Sequence, residues 1–126
     1  MPFKIVHNKQ SAYLTVQVEG VFNQEEFVKI LDAIVKSNEY PENINAIYDL
    51  SNMFFEKISS DFLYTLSLLA EKYSKQRSGA KTALVCPADL QFGAAREWDA
   101  YTDHIPVDKT VVRTMEEAIK WVKNAD

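Results

Sequence analysis

The spacing of apolar residues changes repeatedly along this chain, and these changes restrict the fold more than any other feature. Apolar and polar residues alternate over 3–7 and 12–19, with turn-forming residues between them. This pattern predicts an antiparallel β-hairpin. Residues 44–50 and 82–86 are short apolar runs, typical of inner strands of a parallel sheet. Residues 109–113 complete a set of five predicted strands.

Four segments with helical spacing separate or follow these strands, and each begins at a residue suited to cap a helix. The predicted caps are Asn23, Ser59, Asp89 and Thr114. We expect the second helix to end at Gly79, because glycine is the usual residue after a helix. The order ββαβαβαβα predicts an α/β protein with a mostly parallel five-stranded sheet, an antiparallel opening hairpin and four helices.

Length and charge limit the class of protein. A chain of 126 residues is typical of one domain, so residues 1–126 are predicted to form a single domain. With 14 basic and 18 acidic residues the net charge is -4, and the chain lacks the positive field that tracks a phosphate backbone. We therefore expect no nucleic-acid partner.

Cellular location is predicted from the cysteine content and the N-terminus. Cys86 is the only cysteine, which excludes an internal disulfide and fits a reducing compartment. The opening MPFKIVHNKQ has no apolar signal region, and no apolar run approaches the roughly 20 residues of a membrane span. These features predict a cytoplasmic protein that is not integral to a membrane.

A catalytic interpretation would use Cys86 as a nucleophile. His104 or His7 would serve as its base, with Asp49 to orient that base. However, a lone cysteine after Ala-Leu-Val is more typical of a small buried apolar residue, and no spacing brings either histidine to it. We therefore predict that the protein is not an enzyme.

Metal and cofactor sites are not expected either. Asp99, Asp103 and His104 are neighbours, but two aspartates at i,i+4 near a helix end are more typical of a solvated face than of a metal site. The chain contains three glycines and no glycine-rich phosphate-binding loop. We predict no metal and no cofactor.

Three stretches resemble a known family. They are YLTVQVEGVFNQEEF, then IYDLSNMFFEKISSDFL, and then ALVCPADLQFGAAREWDAY followed by VVRTMEEAIKWV. Together they resemble the STAS fold, and within it the SpoIIAA-like group, whose namesake is a bacterial anti-sigma-factor antagonist. The resemblance implies a non-enzymatic regulatory or protein-interaction module that binds a protein partner or forms a homodimer. Some SpoIIAA-like proteins are likened to lipid carriers, which implies, as an alternative, a pocket for a lipid or another apolar small molecule.

The resemblance also implies a possible phosphoacceptor. In STAS proteins this residue begins a helix within an Asp-Ser-Ser-Gly type sequence, and the matching segment here is Ile58-Ser59-Ser60-Asp61. Ser59 or Ser60 would carry the phosphate, because a helix N-terminus favours negative charge. Alternatively Ser59 only caps the helix, and Asp61 would place a like charge beside any phosphate.

We predict a functional surface at the carboxyl ends of the parallel strands, where open α/β sheets bind ligands. Asp49 and Ser51 would end the third strand there, unless they only satisfy backbone N–H groups of a loop. The apolar residues that follow would form either a flap folded onto the core or an exposed docking patch. The predicted surface comprises Asp49, Ser51, Met53, Phe54, Phe55, Ser59 and Ser60.

Overall fold

The computed structural model describes residues 3–55 and 58–124. Five strands and four helices follow one another in the predicted order ββαβαβαβα. The elements are β1 (Phe3–Asn8), β2 (Tyr13–Phe22), α1 (Gln24–Val35), β3 (Asn45–Phe55), α2 (Ser60–Lys72), β4 (Lys81–Val85), α3 (Asp89–Tyr101), β5 (Asp108–Val112) and α4 (Met115–Lys123).

The strands form one sheet in the order β1-β2-β3-β4-β5. β1 pairs with β2 in antiparallel register, and every other neighbouring pair is parallel. This arrangement confirms the predicted fold class. None of the helices in the described ranges is long and apolar enough to cross a bilayer.

The strand order places most helices on one face of the sheet. Each parallel strand is added beside the previous one, so three right-handed crossovers in the same direction bring α1, α2 and α3 to the same side. Their apolar residues form the larger core with that face of the sheet. Helix α4 alone lies on the opposite face, where it packs against β3, β4 and β5 and forms a smaller core.

Capping residues define the start of three helices as predicted. The side chain of Asn23 accepts a hydrogen bond from the Glu26 backbone N–H at 3.0 Å. Ser59 and Thr114 cap their helices in the same way. Asp89 does not, because Ala88 occupies the capping position and Asp89 is the first helical residue.

The end of α2 differs from the prediction. The helix stops at Lys72, and turns carry the chain on to Gly79, seven residues later. Gly79 has a φ of 87°, a left-handed conformation that glycine adopts without strain. Its N–H donates to the Pro106 carbonyl at 2.9 Å, so this glycine orients the entry to β4 rather than ending the helix.

Candidate functional site

The third strand is longer than its sequence pattern predicts. It continues through Phe55, so Met53, Phe54 and Phe55 lie in a strand and not in the loop that was expected. The extension is possible because β2 runs beside it, with Val21 opposite Phe54. β4 stops at Val85, so the last residues of β3 are paired on one side only.

A β-bulge separates the two halves of β3. Gln17 is opposite Asp49, but two residues later Glu19 is opposite Asn52, so β3 carries one extra residue at this point. An extra residue reverses which side chains face each side of the sheet. Before the bulge the even-numbered Tyr48 faces the larger core, and after it odd-numbered residues do.

Two of the three apolar residues of the extension consequently pack inside. Met53 is 2% exposed, and its carbonyl accepts a hydrogen bond from the Gln91 side chain at 3.0 Å. The Phe55 ring contacts the rings of Phe22 and Phe62 edge to face, with centroids 6.2 and 5.9 Å away. These contacts attach the end of β3 to α2 and α3.

Phe54 points to the other side of the sheet and is 56% exposed. Val21 lies directly opposite it on β2 and is 42% exposed. Both belong to the part of the sheet that α4 leaves uncovered, which we call the open face. The open face comprises Lys4, Val6, Thr15, Gln17, Glu19, Val21, Asn52 and Phe54.

Asp49 and Ser51 are joined by hydrogen bonds at the bulge. The Asp49 carboxylate accepts hydrogen bonds from the Ser51 hydroxyl at 2.5 Å and from the Ser51 N–H at 3.1 Å. Asp49 lies opposite Val85, one residue before Cys86, at the carboxyl end of the parallel strands. Its contacts are those of a residue that stabilises local backbone.

Cys86 has the environment of a packing residue. It is fully buried, and its N–H donates to the Val112 carbonyl at 2.8 Å. Burial raises the pKa of the Cys86 thiol to about 12, so the reactive thiolate is scarce at neutral pH. His7 packs against the Tyr40 ring, and His104 lies 3.3 Å from a Glu71 oxygen.

The cluster of Asp99, Asp103 and His104 makes contacts within the protein that do not require a metal ion. Asp99 is half-buried, and burial raises its pKa, an effect that the nearby Lys109 ammonium opposes. Throughout residues 3–55 and 58–124, no three His, Cys, Asp or Glu residues are grouped in a way that could hold a metal ion.

The two serines at the start of α2 have different surroundings. The Ser59 hydroxyl accepts a hydrogen bond from the Phe62 N–H at 3.1 Å. Ser60 is exposed, and its hydroxyl lowers the pKa of Glu97. The Tyr101 hydroxyl adds to this effect by donating to the same carboxylate at 2.7 Å. A phosphate on Ser60 would therefore face a carboxylate.

An apolar cavity of about 100 Å³ lies between the sheet and helices α1, α2 and α3. Most of its lining is aromatic or aliphatic, including Phe27, Trp98 and Leu66. Arg77 also lines it, although the side chain is only 5% exposed. The burial of Arg77 is not predictable from the sequence, because a lone arginine in a polar segment gives no signal that it will be buried.

Comparison with known proteins supports the fold. No protein-family model matches the chain, and no curated protein does. An uncharacterized protein of the DUF3478 family with a SpoIIAA-like fold, from Shewanella loihica PV-4, has a TM-score of 0.62 and 18% identity. The match covers 95% of this chain and 91% of that one.

A second similar structure is the anti-sigma factor antagonist SpoIIAA in its unphosphorylated form. Its TM-score is 0.53 at 18% identity, and the match covers 98% of both chains. The protein therefore has the SpoIIAA-like fold that the sequence resemblance implied. At this identity the likeness shows the fold alone.

Proposed function

We propose that this chain is a non-enzymatic regulatory module that acts through protein–protein contact, and that its open face binds a second copy of the chain. The observation that carries the proposal is the exposure of Phe54 beside Val21 on a part of the sheet that none of the four described helices covers. Large aromatic side chains contribute strongly to protein interfaces, whereas an exposed one adds little to folding.

The composition of the open face favours self-association. It contains the apolar pair Val21 and Phe54, a third exposed apolar residue, Val6, and one residue of each charge, Lys4 and Glu19. In a two-fold dimer the same patch meets itself, so an apolar pair can meet its copy while a lysine of one subunit pairs with a glutamate of the other. Two sheet faces pack about 10 Å apart in such an arrangement.

The size of the open face sets the expected affinity. It comprises eight residues, fewer than the roughly 20 to 30 residues that each partner contributes to a standard stable interface. We therefore expect a weak, reversible dimer. Weak association suits a regulatory module, because a competing partner could replace the second copy.

The absence of enzymatic activity is part of the proposal. It is supported by the protonated, buried thiol of Cys86 and by the contacts of both histidines with other residues. We also propose a cytoplasmic location, because Cys86 is a free thiol and free thiols are typical of reducing compartments.

Of the two serines expected as phosphoacceptors, Ser59 and Ser60, we propose Ser59. Ser59 is the N-cap residue of α2 and lies beside the free backbone N–H groups of the first turn, which favour a phosphate. Ser60 is more exposed, but the Glu97 carboxylate beside it would repel a phosphate.

The carrier alternative finds limited support. Pockets for drug-sized ligands usually measure roughly 300 Å³ or more. The cavity here is about 100 Å³, which is too small for a lipid. Under this alternative, the cavity favours an apolar ligand much smaller than a lipid.

Sedimentation velocity over a wide concentration range tests the proposal. We expect the weight-average sedimentation coefficient of the unmodified protein to rise with concentration. Phe54→Ser should abolish this rise. Leu90→Ser is the matched control, because Leu90 is an exposed residue of α3, away from the open face. If the unmodified protein stays monomeric at about 1 mM, that result would contradict self-association.

A further inference from the structure

The side chain of Arg77 is satisfied at only one of its two terminal nitrogens. Nη1 donates to the carbonyl oxygens of Glu42 and Ile44, each at 2.6 Å. Nη2 is buried and has no hydrogen-bond partner among the described residues. A buried donor without an acceptor is costly, so Nη2 favours an acceptor that residues 3–55 and 58–124 do not supply.

The charge of Arg77 is also uncompensated. None of the ion pairs found within the described ranges includes it, and its protein partners are two neutral carbonyls. Burial lowers the pKa of Arg77, but an arginine keeps its proton in proteins. A guanidinium buried in this way favours an anion as its counter-charge.

The other residues that line the cavity indicate which chemical group would accompany the anion in a ligand. Its walls near α1 and α2 are hydrocarbon and aromatic, with Phe27, Leu31 and Leu66 among them. Trp98 contributes a second buried donor, since its Nε1–H has no partner among the described residues. The cavity therefore offers two unpartnered donors in a lining that is mostly apolar, with Ser74, Thr82 and Lys109 as further polar residues.

We propose that this cavity binds a short-chain aliphatic carboxylate, with the carboxylate on Nη2 of Arg77 and the hydrocarbon chain among the apolar residues. An apolar protein cavity of about 150 Å³ can hold benzene. A cavity of about 100 Å³ therefore suits a smaller ligand, with a chain of about three or four carbons. This inference is independent of the open face, which lies on the other side of the sheet.

The direct test is a titration of the full chain with sodium butyrate, followed by ¹H–¹⁵N correlation spectra. We expect saturable shifts at residues lining the cavity, with a Kd on the order of 1 mM for so small a ligand. Butyramide, which has the same shape without the charge, should bind roughly tenfold more weakly. Inorganic phosphate, which has charge without a hydrocarbon chain, should produce no saturable shift.

Three variants separate the role of the charge from that of the space. Arg77→Met removes the guanidinium, and Ala95→Leu fills the cavity while leaving Arg77 in place. Each should weaken butyrate binding at least about tenfold. Arg96→Met is the matched control, because Arg96 is exposed and does not line the cavity, and it should leave the Kd within about twofold.

The outcomes decide the proposal even if Arg77→Met fails to fold, because Ala95→Leu and butyramide test the same site. Absence of saturable shifts with butyrate up to about 20 mM would overturn it. Equal binding of butyrate and butyramide would overturn the role assigned to the charge. Phosphate binding as tight as that of butyrate would show a simple anion site and overturn the role of the apolar walls.

Discussion

Phe54 and Phe55 are consecutive residues of β3, and their side chains lie on opposite faces of the sheet. The Phe55 ring packs edge to face on Phe62, with centroids 5.9 Å apart, whereas Phe54 is 56% exposed. The bulge between Asp49 and Asn52 determines which of the two is buried. Consecutive residues with the same side chain thus provide a matched pair for separating stability from association.

Replacing each phenylalanine by alanine should have different effects on stability. Phe55→Ala removes a ring that packs against two others, so we expect the free energy of unfolding to fall by about 3 kcal/mol. Phe54→Ala should change it by less than about 0.5 kcal/mol, because exposed positions contribute little. Urea denaturation monitored by circular dichroism measures both, and equal losses would contradict the assigned orientations.

The two serines at the start of α2 form a second matched pair. Ser59→Ala removes the acceptor for the Phe62 N–H and should lower the free energy of unfolding by about 1 kcal/mol. Ser60→Ala should have a much smaller effect, because Ser60 is exposed and does not cap the helix. Thermal denaturation of both variants would reveal the difference. A larger loss for Ser60→Ala would contradict the capping role of Ser59.

Cys86 should react very slowly with thiol reagents in the folded protein. Its pKa of about 12 leaves roughly one thiolate in ten thousand at pH 8, and the side chain is fully buried. We expect a chromogenic disulfide reagent to label it only after unfolding in guanidinium chloride. Rapid labelling of the folded protein at pH 8 would contradict this environment and reopen the catalytic interpretation of Cys86.

Tyr48 should make stability depend on pH under alkaline conditions. Burial raises the pKa of Tyr48 above its ordinary value of 10.0, with the Arg77 charge opposing the shift. The unfolded chain therefore loses this proton first, and stability that is fully present below pH 10 is lost as pH rises through the higher folded-state pKa.

Tyr48→Phe removes this proton and should flatten the fall in stability between about pH 9 and about pH 11. Urea denaturation at the two pH values measures the slope. Tyr64→Phe serves as the control, because Tyr64 is 52% exposed. If the Tyr48 and Tyr64 variants gave the same slope as the unmodified protein, the effect attributed to Tyr48 would be wrong.

The fold could be predicted because local signals agreed with one another. Alternation in the opening hairpin, the caps at Asn23, Ser59 and Thr114, and the short apolar strands all indicated the same element order. In contrast, the position of Asp89 within its helix could not be predicted, because an aspartate is equally favourable as a cap or in the first turn. The predicted boundaries of helices and strands therefore differ from the observed ones, although the predicted order of elements is the observed order.

The candidate site was harder to predict, for two physical reasons. The length of β3 depends on β2 continuing beside it, and this long-range pairing leaves no trace in the sequence of residues 51–55. The bulge then changes which residues are buried, so a periodic pattern alone cannot assign Phe54 and Phe55 to their faces. Similarly, the burial of Arg77 depends on the Glu42 and Ile44 carbonyls, more than 30 residues away in the chain.

The central claim is that the open face is the surface through which two copies of the chain associate. The exposed helix residues Tyr64 and Leu68 provide a competing apolar patch on α2. Amide chemical shifts recorded between about 20 μM and about 1 mM protein distinguish the two surfaces directly. We expect the concentration-dependent shifts to lie at open-face residues, including Val21 and Phe54, and not on α2. Shifts confined to α2, or no shifts at all, would contradict the claim.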